Sequence, residues 1–341
     1  MQNESIEAQR LAAEGAEVSE ELVKVPLAPG SAGKPKKKPF RQRFKKEILA
    51  YSLIGIPLVW WCVFFVVALV WAFCTSFTDM RGGYGFDFVN NISFDNYINI
   101  FTAGSAQAEA FWNGMKVTVI WTVVMMIGNN FMGILCAFLI KAIKRGGKVF
   151  LALLFWPSLV SAVVGADITS TLFQSDNTGV VNQIIIACGG SPVAWFEDPN
   201  TAIWALMVIP FFFGFCQKML IYYSTLVSIP DTYEEAASLE TSSRVRIFIR
   251  VIFPLMKNAL VLNTLLSIID GFKVLGPMQL VTDGGPANST QSAMLLIYKS
   301  VFNAPARIGQ GCAYAFVLFI FILIVSIIQK VIAGKEESNI E

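Results

Sequence analysis

The sequence predicts an all-α, polytopic membrane protein with six transmembrane helices. Three observations carry this: a composition too apolar for water, six apolar runs long enough to cross a bilayer, and basic residues gathered on alternate connections. Of 341 residues, 55% are hydrophobic and 15% charged, against roughly 25% charged in a soluble domain. The mean hydropathy is +0.59. Histidine is absent, which removes the commonest general base and transition-metal ligand. With no recognisable nucleophile–base pair either, an intramembrane enzyme is set aside, and no catalytic or metal-ligating residue is assigned. Most of the six cysteines (Cys62, Cys74, Cys136, Cys188, Cys216 and Cys312) lie in apolar runs, and none forms a C-x-x-C pair. They read as small buried hydrophobes in preference to a disulfide framework or metal site.

Residues 1–47 form a cytoplasmic tail. Its first part, to about residue 33, mixes Glu, Ala, Pro and Gly without an apolar period and reads as disordered. Lacking an apolar stretch near its start, it does not read as a cleaved signal peptide. A basic block follows: Lys34, Lys36, Lys37, Lys38, Arg41, Arg43, Lys45 and Lys46. Its place directly before a long apolar run points to anchoring on anionic lipid and away from nucleic acid. The six-helix transmembrane body then occupies 48–334, and 335–341 is a short cytoplasmic tail.

A helix needs about 20 apolar residues to cross the hydrocarbon core. The first candidate runs from about Ile48 to Cys74, with Pro57 inside and Trp60, Trp61 and Trp71 as interfacial aromatics. The others run from about Val117 to Ile140, Val149 to Phe173, Ala202 to Ser224, Ala259 to Val281 and Gly311 to Ile332. The positive-inside rule tests this order. The N-terminal block, the second connection (Lys141, Lys144, Arg145, Lys148) and the fourth (Arg244, Arg246, Arg250, Lys257) are basic. The intervening connections hold only Arg81, Lys116 at a margin, Lys299 and Arg307, beside Asp79, Asp87, Asp95, Glu109, Asp176, Glu197, Asp198 and Asp283. Both termini therefore read as cytoplasmic, in a multi-pass protein of the plasma membrane.

The connection at about 229–257 carries the most information. Just after Pro230 a short helix is expected to start, capped by Thr232 with Glu235 in reply, or by Asp231 with Glu234. Ala236 and Ala237 give it a surface that another protein can approach closely. Downstream, Val245, Phe248, Ile249 and Ile252 repeat at helical spacing opposite Arg244, Arg246 and Arg250, as in an interfacial helix. On these residues alone, a solvated linker and a docking element are both open.

Here the chain resembles the permeases of binding-protein-dependent ABC importers. Their EAA loop reads Glu-Ala-Ala, two variable residues, an acidic residue, Gly, and later Ile and Leu-Pro. Glu235-Ala236-Ala237, Glu240, Ile252 and Phe253-Pro254 match it, while Thr241 stands at the glycine position. Ile229-Pro230, Phe155-Trp156-Pro157-Ser158, Ser76-Phe77-Thr78 and Phe272-Lys273-Val274 also fit. So does Thr282-Asp283-Gly284-Gly285-Pro286 with Ser289-Thr290, similar to the T-x-GGP-x-x-ST stretch of carbohydrate permeases. The likeness covers about Leu53 to Ile332. It implies the type I ABC importer permease fold, import of an oligosaccharide or a related polyol or glycerol phosphate, and bacterial or archaeal origin. The implied partners are two copies of an ATPase subunit, a second permease subunit of different sequence, and an extracellular sugar-binding protein. Carried over by position, Glu235, Ala236, Ala237, Glu240 and Thr241 couple to the ATPase, with Glu235 facing a basic residue there. ATP and magnesium are expected on that partner, because this chain has no G-x-x-x-x-G-K-[ST] loop: Gly146-Gly147-Lys148 lacks the upstream glycine and the following Ser or Thr.

Polar residues inside a membrane cost free energy and normally face protein or water. Asn129, Asn130, Asp167, Gln217, Lys218, Asp270 and Lys273 are thus candidates for the substrate path. Asp270 and Lys273, three apart, are expected to share a helix face, as an ion pair or as pore lining. For the two asparagines, interhelical hydrogen bonding and sugar contact are both open. Phe211, Phe212 and Phe213 read as lipid or core packing. The segment from Ser289 to Asn303 has a helical period and is expected near the outer surface, as a platform for the binding protein or as a seal. An ion-coupled secondary transporter is the competing class. No clear inverted repeat is visible, and Asp167, Asp270 and Lys273 alone define no proton relay.

Overall fold

The computed structural model describes residues 40–82, 91–143 and 145–337. The tail through Pro39, Asp87, Lys144, the residues after Glu337 and the side chains of the basic block up to Lys46 lie outside that description. Two units are distinguished, 1–67 and 68–341. In the first, α1 (Phe40–Trp61) is followed by a π turn, Cys62–Val66. Rings four apart meet there, Trp60 with Phe64 and Trp61 with Phe65, as i and i+4 side chains on a helix do.

Nearly all of α2 (Val67–Ser76) belongs to the second unit. After it come α3 (Asp95–Phe101), α4 (Ala106–Ala142), α5 (Gly147–Leu159, closing in a 3₁₀ turn), α6 (Ala162–Leu172), α7 (Val180–Ala187) and α8 (Ala202–Ser228). Next are α9 (Thr232–Glu240), α10 (Arg244–Leu255), α11 (Lys257–Phe272), α12 (Ala293–Phe302) and α13 (Ile308–Glu337). Among the described residues, four stretches are long and apolar enough to cross a membrane: Tyr51–Ser76, Ala106–Ala142, Ala202–Ser228 and Ile308–Ala333. The expected count of six is reached when two bent pairs each make one pass.

Those pairs correct the sequence reading. The third pass is not continuous from Val149 to Phe173: α5 and α6 meet at 88°. Pro157 sits in the closing turn of α5, and Ser161 starts α6 afresh by accepting from the Val164 N–H at 3.4 Å. The fifth pass does not run from Ala259 to Val281. It pairs α10 with α11 at 73°, just after Pro254, and ends at Phe272.

The second unit is built around α4. Glycines let its neighbours come close, and the contacts fix their directions. Gly128 faces Phe211, Asn129 faces Gly214, and Gly133 faces Lys218 and Met219, so α4 and α8 run parallel. Ser267 meets Asn130 while Gly271 meets Thr122, so α11 runs against them. Phe272 touches Phe321 and Val261 accepts from Gln329 at 3.0 Å, so α13 runs against α11. The C-terminal ends of α4, α8 and α13 therefore share one face, as alternate crossings require. A Cβ on Gly271 would stand 2.6 Å from Thr122 Oγ1 and 2.9 Å from its Cα. Gly271→Ala is expected to cost about 1–3 kcal/mol by overpacking, read as a melting temperature several degrees lower in detergent. An unchanged melting temperature would mean that α4 and α11 do not touch here.

The T-x-GGP stretch folds as a buckle. Gly284 has φ +83°, a conformation that glycine takes without cost. Thr290 is fully buried and its hydroxyl bonds Thr282 Oγ1 at 2.7 Å and the Gly285 carbonyl at 2.6 Å. Ser292 then donates to the Val274 carbonyl at 2.8 Å and caps α12, and the Ala293 N–H reaches Thr118 Oγ1 on α4 at 2.9 Å. One face of α12 (Ala293, Leu295, Leu296, Ile297) is buried. It packs on α4 and α13, so the segment is anchored in the core along that face.

Candidate functional site

Two places bring the sequence candidates together. The first is α9. Ile229 precedes it and Ile252 follows it, and both enter one apolar cluster with Ala137, Met219, Tyr222 and Met256. Burial of these two isoleucines pins the connection at both ends while α9 itself buries nothing. Glu235, Ala236 and Glu240 are exposed, Ala237 is half-buried, and Leu239 is 90% exposed. Neither expected capping scheme forms. Asp231 stands at the N-cap without a side-chain hydrogen bond, and Glu234 instead makes an ion pair with Lys141 at the end of α4. A nearby lysine outcompetes the cap because it offers the carboxylate a full charge. Thr241 ends the helix at φ −151°, ψ 139°. This is extended backbone that threonine favours, so the turn needs no glycine. Between α9, the end of α4 and α10 lies an open cleft of about 450 Å³, lined in part by Phe138, Lys141, Glu235, Thr241 and Arg244. Of the amphipathic stripe, Ile252 is buried and Phe248 packs on Phe138 at 4.5 Å, whereas Val245 and Ile249 are exposed.

The second place lies midway along α4, between two apolar clusters. A cleft of about 210 Å³ is lined by Asn129, Gln217, Lys218 and Asp270, with Ser267 and Trp121. Lys218 is 6% exposed. Its ammonium lies 3.5 Å from Asp270 Oδ2. The expected Asp270–Lys273 pair is therefore corrected: the partner of Asp270 comes from α8, and Lys273 is the exposed C-cap of α11. Lys218 prevails because its nearly buried charge has the greater need of a counter-ion. Asn129 is buried and its Oδ1 has no partner, whereas its amide nitrogen would stand 2.5 Å from a Cβ on Gly214.

The remaining candidates separate from this cleft. Asn130 is tied structurally: it accepts from the Tyr222 hydroxyl at 2.6 Å and donates to Ser267 Oγ at 3.2 Å and the Met126 carbonyl at 2.6 Å. Asp167 is exposed on α6 and outside the cleft lining. Phe211 and Phe213 pack against Gly128 and Gly165, and Phe212 is 49% exposed. Sequence reasoning missed Ser267 and Trp121. Ser267 stands three residues before Asp270 and so shares its helix face, a signal that was available. Nothing marked Trp121 among eight tryptophans.

Residues 129–336 match the family described as binding-protein-dependent transport system inner membrane component. The multiple sugar-binding transport system permease protein MsmF of Streptococcus mutans is 27% identical over 288 residues, covering 84% of this chain and 96% of that one. Two solved structures share the fold. One, a bacterial ABC transporter involved in import of the acidic polysaccharide alginate, gives a TM-score of 0.75 at 17% identity, over 86% of this chain and 98% of that chain. The other, a bacterial alginate ABC transporter in complex with an alginate pentasaccharide-bound periplasmic protein, gives 0.70 at 18%, over 88% and 98%.

Proposed function

The chain belongs to the family of binding-protein-dependent transport system inner membrane components, and on that premise we propose that it is the permease subunit of an ABC importer that carries a carbohydrate into the cell. The observation that carries this reading is the match over residues 129–336, which takes in α9 and all of the α4 cleft lining except Trp121 and Met125. MsmF and the alginate transporters are carbohydrate systems by name, which supports an oligosaccharide or related polyol as cargo. Family membership removes the ion-coupled secondary transporter as the competing class.

In this reading 48–334 is the permease body and 229–257 its coupling loop, between cytoplasmic tails at 1–47 and 335–341. Glu235, Ala236, Ala237, Glu240 and Thr241 form the surface on which a separate ATPase subunit docks, and that partner holds ATP and magnesium. Small side chains let the two backbones approach, and a carboxylate in the first helical turn fixes the register. A second permease subunit, different in sequence, completes the pathway, and an extracellular binding protein delivers the sugar. Asn129, Gln217, Lys218 and Asp270 line the substrate path. Their amide, ammonium and carboxylate groups supply donors and acceptors for hydroxyl groups. Asn130 supports the path by holding α4, α8 and α11 together. Asp167 and Lys273 are left without a role in it.

Reconstitution tests this. The chain is placed in vesicles with its partner permease, the ATPase, the binding protein and a panel of oligosaccharides. Uptake is expected only with ATP inside the compartment that holds the ATPase, and collapse of the proton gradient leaves it unchanged. Uptake driven by a proton gradient without any ATPase would refute the reading.

A further inference from the structure

The two sites lie on a common rod. Helix α4 runs unbroken from Ala106 to Ala142. Near its start Thr118 Oγ1 accepts the Ala293 N–H, which ties it to the buckle. At its middle Asn129 enters the polar cleft. At its end Lys141 pairs with Glu234 of α9. From Asn129 to Lys141 is twelve residues, roughly 18 Å along a helix at 1.5 Å per residue.

The contact between α9 and α4 is narrow. The open cleft separates them, and Lys141 and Glu234 face each other across its lining. No side chain of α9 is buried, so packing does not weld it to the bundle. α9 also rests on the π turn Phe248–Ile252 of α10. Among the described residues, the Lys141–Glu234 pair is the one ion pair that joins α9 to a membrane-crossing helix. The two side chains are 19% and 41% exposed. Pairs so exposed add little to folding stability, so stability does not account for this one.

We propose that Lys141 is a positioning residue: its ion pair with Glu234 carries displacement of α9 into α4, and thereby moves Asn129 in the cleft. This rests on the reading of α9 as the ATPase-docking helix and adds the route by which docking reaches the substrate. The pair is a lever and not a docking contact, because Glu234 is engaged with α4 while Ala236 and Leu239 are exposed.

The test uses the full reconstituted importer and measures transport per ATP hydrolysed alongside retention of the ATPase. Lys141→Met and Glu234→Gln are expected to keep the ATPase bound and active while transport per ATP falls about tenfold, within the usual range of coupling between sites. Lys141→Arg and the exchanged pair Lys141→Glu with Glu234→Lys are expected to restore it to within about twofold. Wild-type transport per ATP in Lys141→Met overturns the proposal, as does an exchanged pair no better than Glu234→Lys alone. Loss of the ATPase from the Lys141→Met complex also overturns it, since the residue would then serve docking. A wild-type complex that transports without an ATPase would instead overturn the functional reading beneath it, and the two failures are read from different samples.

Discussion

Replacing Glu235 with lysine is expected to strip the ATPase subunit from the detergent-solubilised complex and to lower ATP-driven sugar uptake to that of vesicles without nucleotide. Glu235 is exposed in the first turn of an exposed helix, where the helix dipole already favours an anion. Its side chain has no hydrogen-bond or ion-pair partner among the described residues, so its charge is free for a partner protein. If it meets a basic residue of the ATPase, charge reversal removes an attraction and adds a repulsion. Interface hot spots cost about 2 kcal/mol or more on truncation alone, roughly thirtyfold in affinity. Reversal in a desolvated contact costs more, because like charges face each other. The fold should tolerate the change. Lysine in the first turn opposes the dipole by about 0.3–1 kcal/mol, and exposed substitutions elsewhere are usually smaller still. Co-purification of the ATPase, the melting temperature of the isolated chain and uptake by vesicles separate the two effects. An ATPase that stays bound to the lysine variant, with uptake intact, removes Glu235 from the docking surface.

Residue pattern alone reaches far into this molecule, and the places where it stops have physical causes. Apolar run length marks where the chain crosses, because the bilayer punishes every unburied polar group in the same way. It does not mark bends. Pro157 and Ser161 lie inside a predominantly apolar stretch, so composition hides the 88° break between α5 and α6. The helix at α9 was legible from Pro230 and the acidic first turn, but its capping was not. Glu234 bonds a lysine ninety-three positions away, and no local rule sees that far. The same limit governs the cleft. Spacing pairs Asp270 with Lys273 on one helix, whereas the fold supplies Lys218 from α8. Local rules weigh neighbours along the chain, but a buried charge selects whichever counter-ion the packing brings. Thr241 shows the converse: it stands at the family's glycine position, yet the turn needs no glycine, since the backbone there is extended.

Removal of the Asp270 carboxylate is expected to damage the protein twice, in stability and in transport, and a paired substitution can separate the two. Lys218 has a side chain only 7% exposed, and Asp270 is the one anion within 4 Å of it among the described residues. Breaking a buried ion pair from one side costs about 3–5 kcal/mol because an uncompensated charge stays behind. Asp270 is itself 69% exposed and 3.5 Å away, so solvent shares the task and the expected loss is nearer 1–3 kcal/mol. Asp270→Ala should therefore lower the melting temperature by several degrees, and uptake should fall by at least tenfold as the cleft loses its carboxylate. Lys218→Met combined with Asp270→Leu leaves no stranded charge. Apolar replacement of both partners is often neutral or stabilising, so the double variant should melt near the wild-type temperature. Transport is expected to stay lost, because the sugar hydroxyls would face methyl groups where they need donors and acceptors. A double variant that is stable and still transports at the wild-type rate would make the pair an interhelical brace between α8 and α11. The substrate path would then be sought among other residues facing α4.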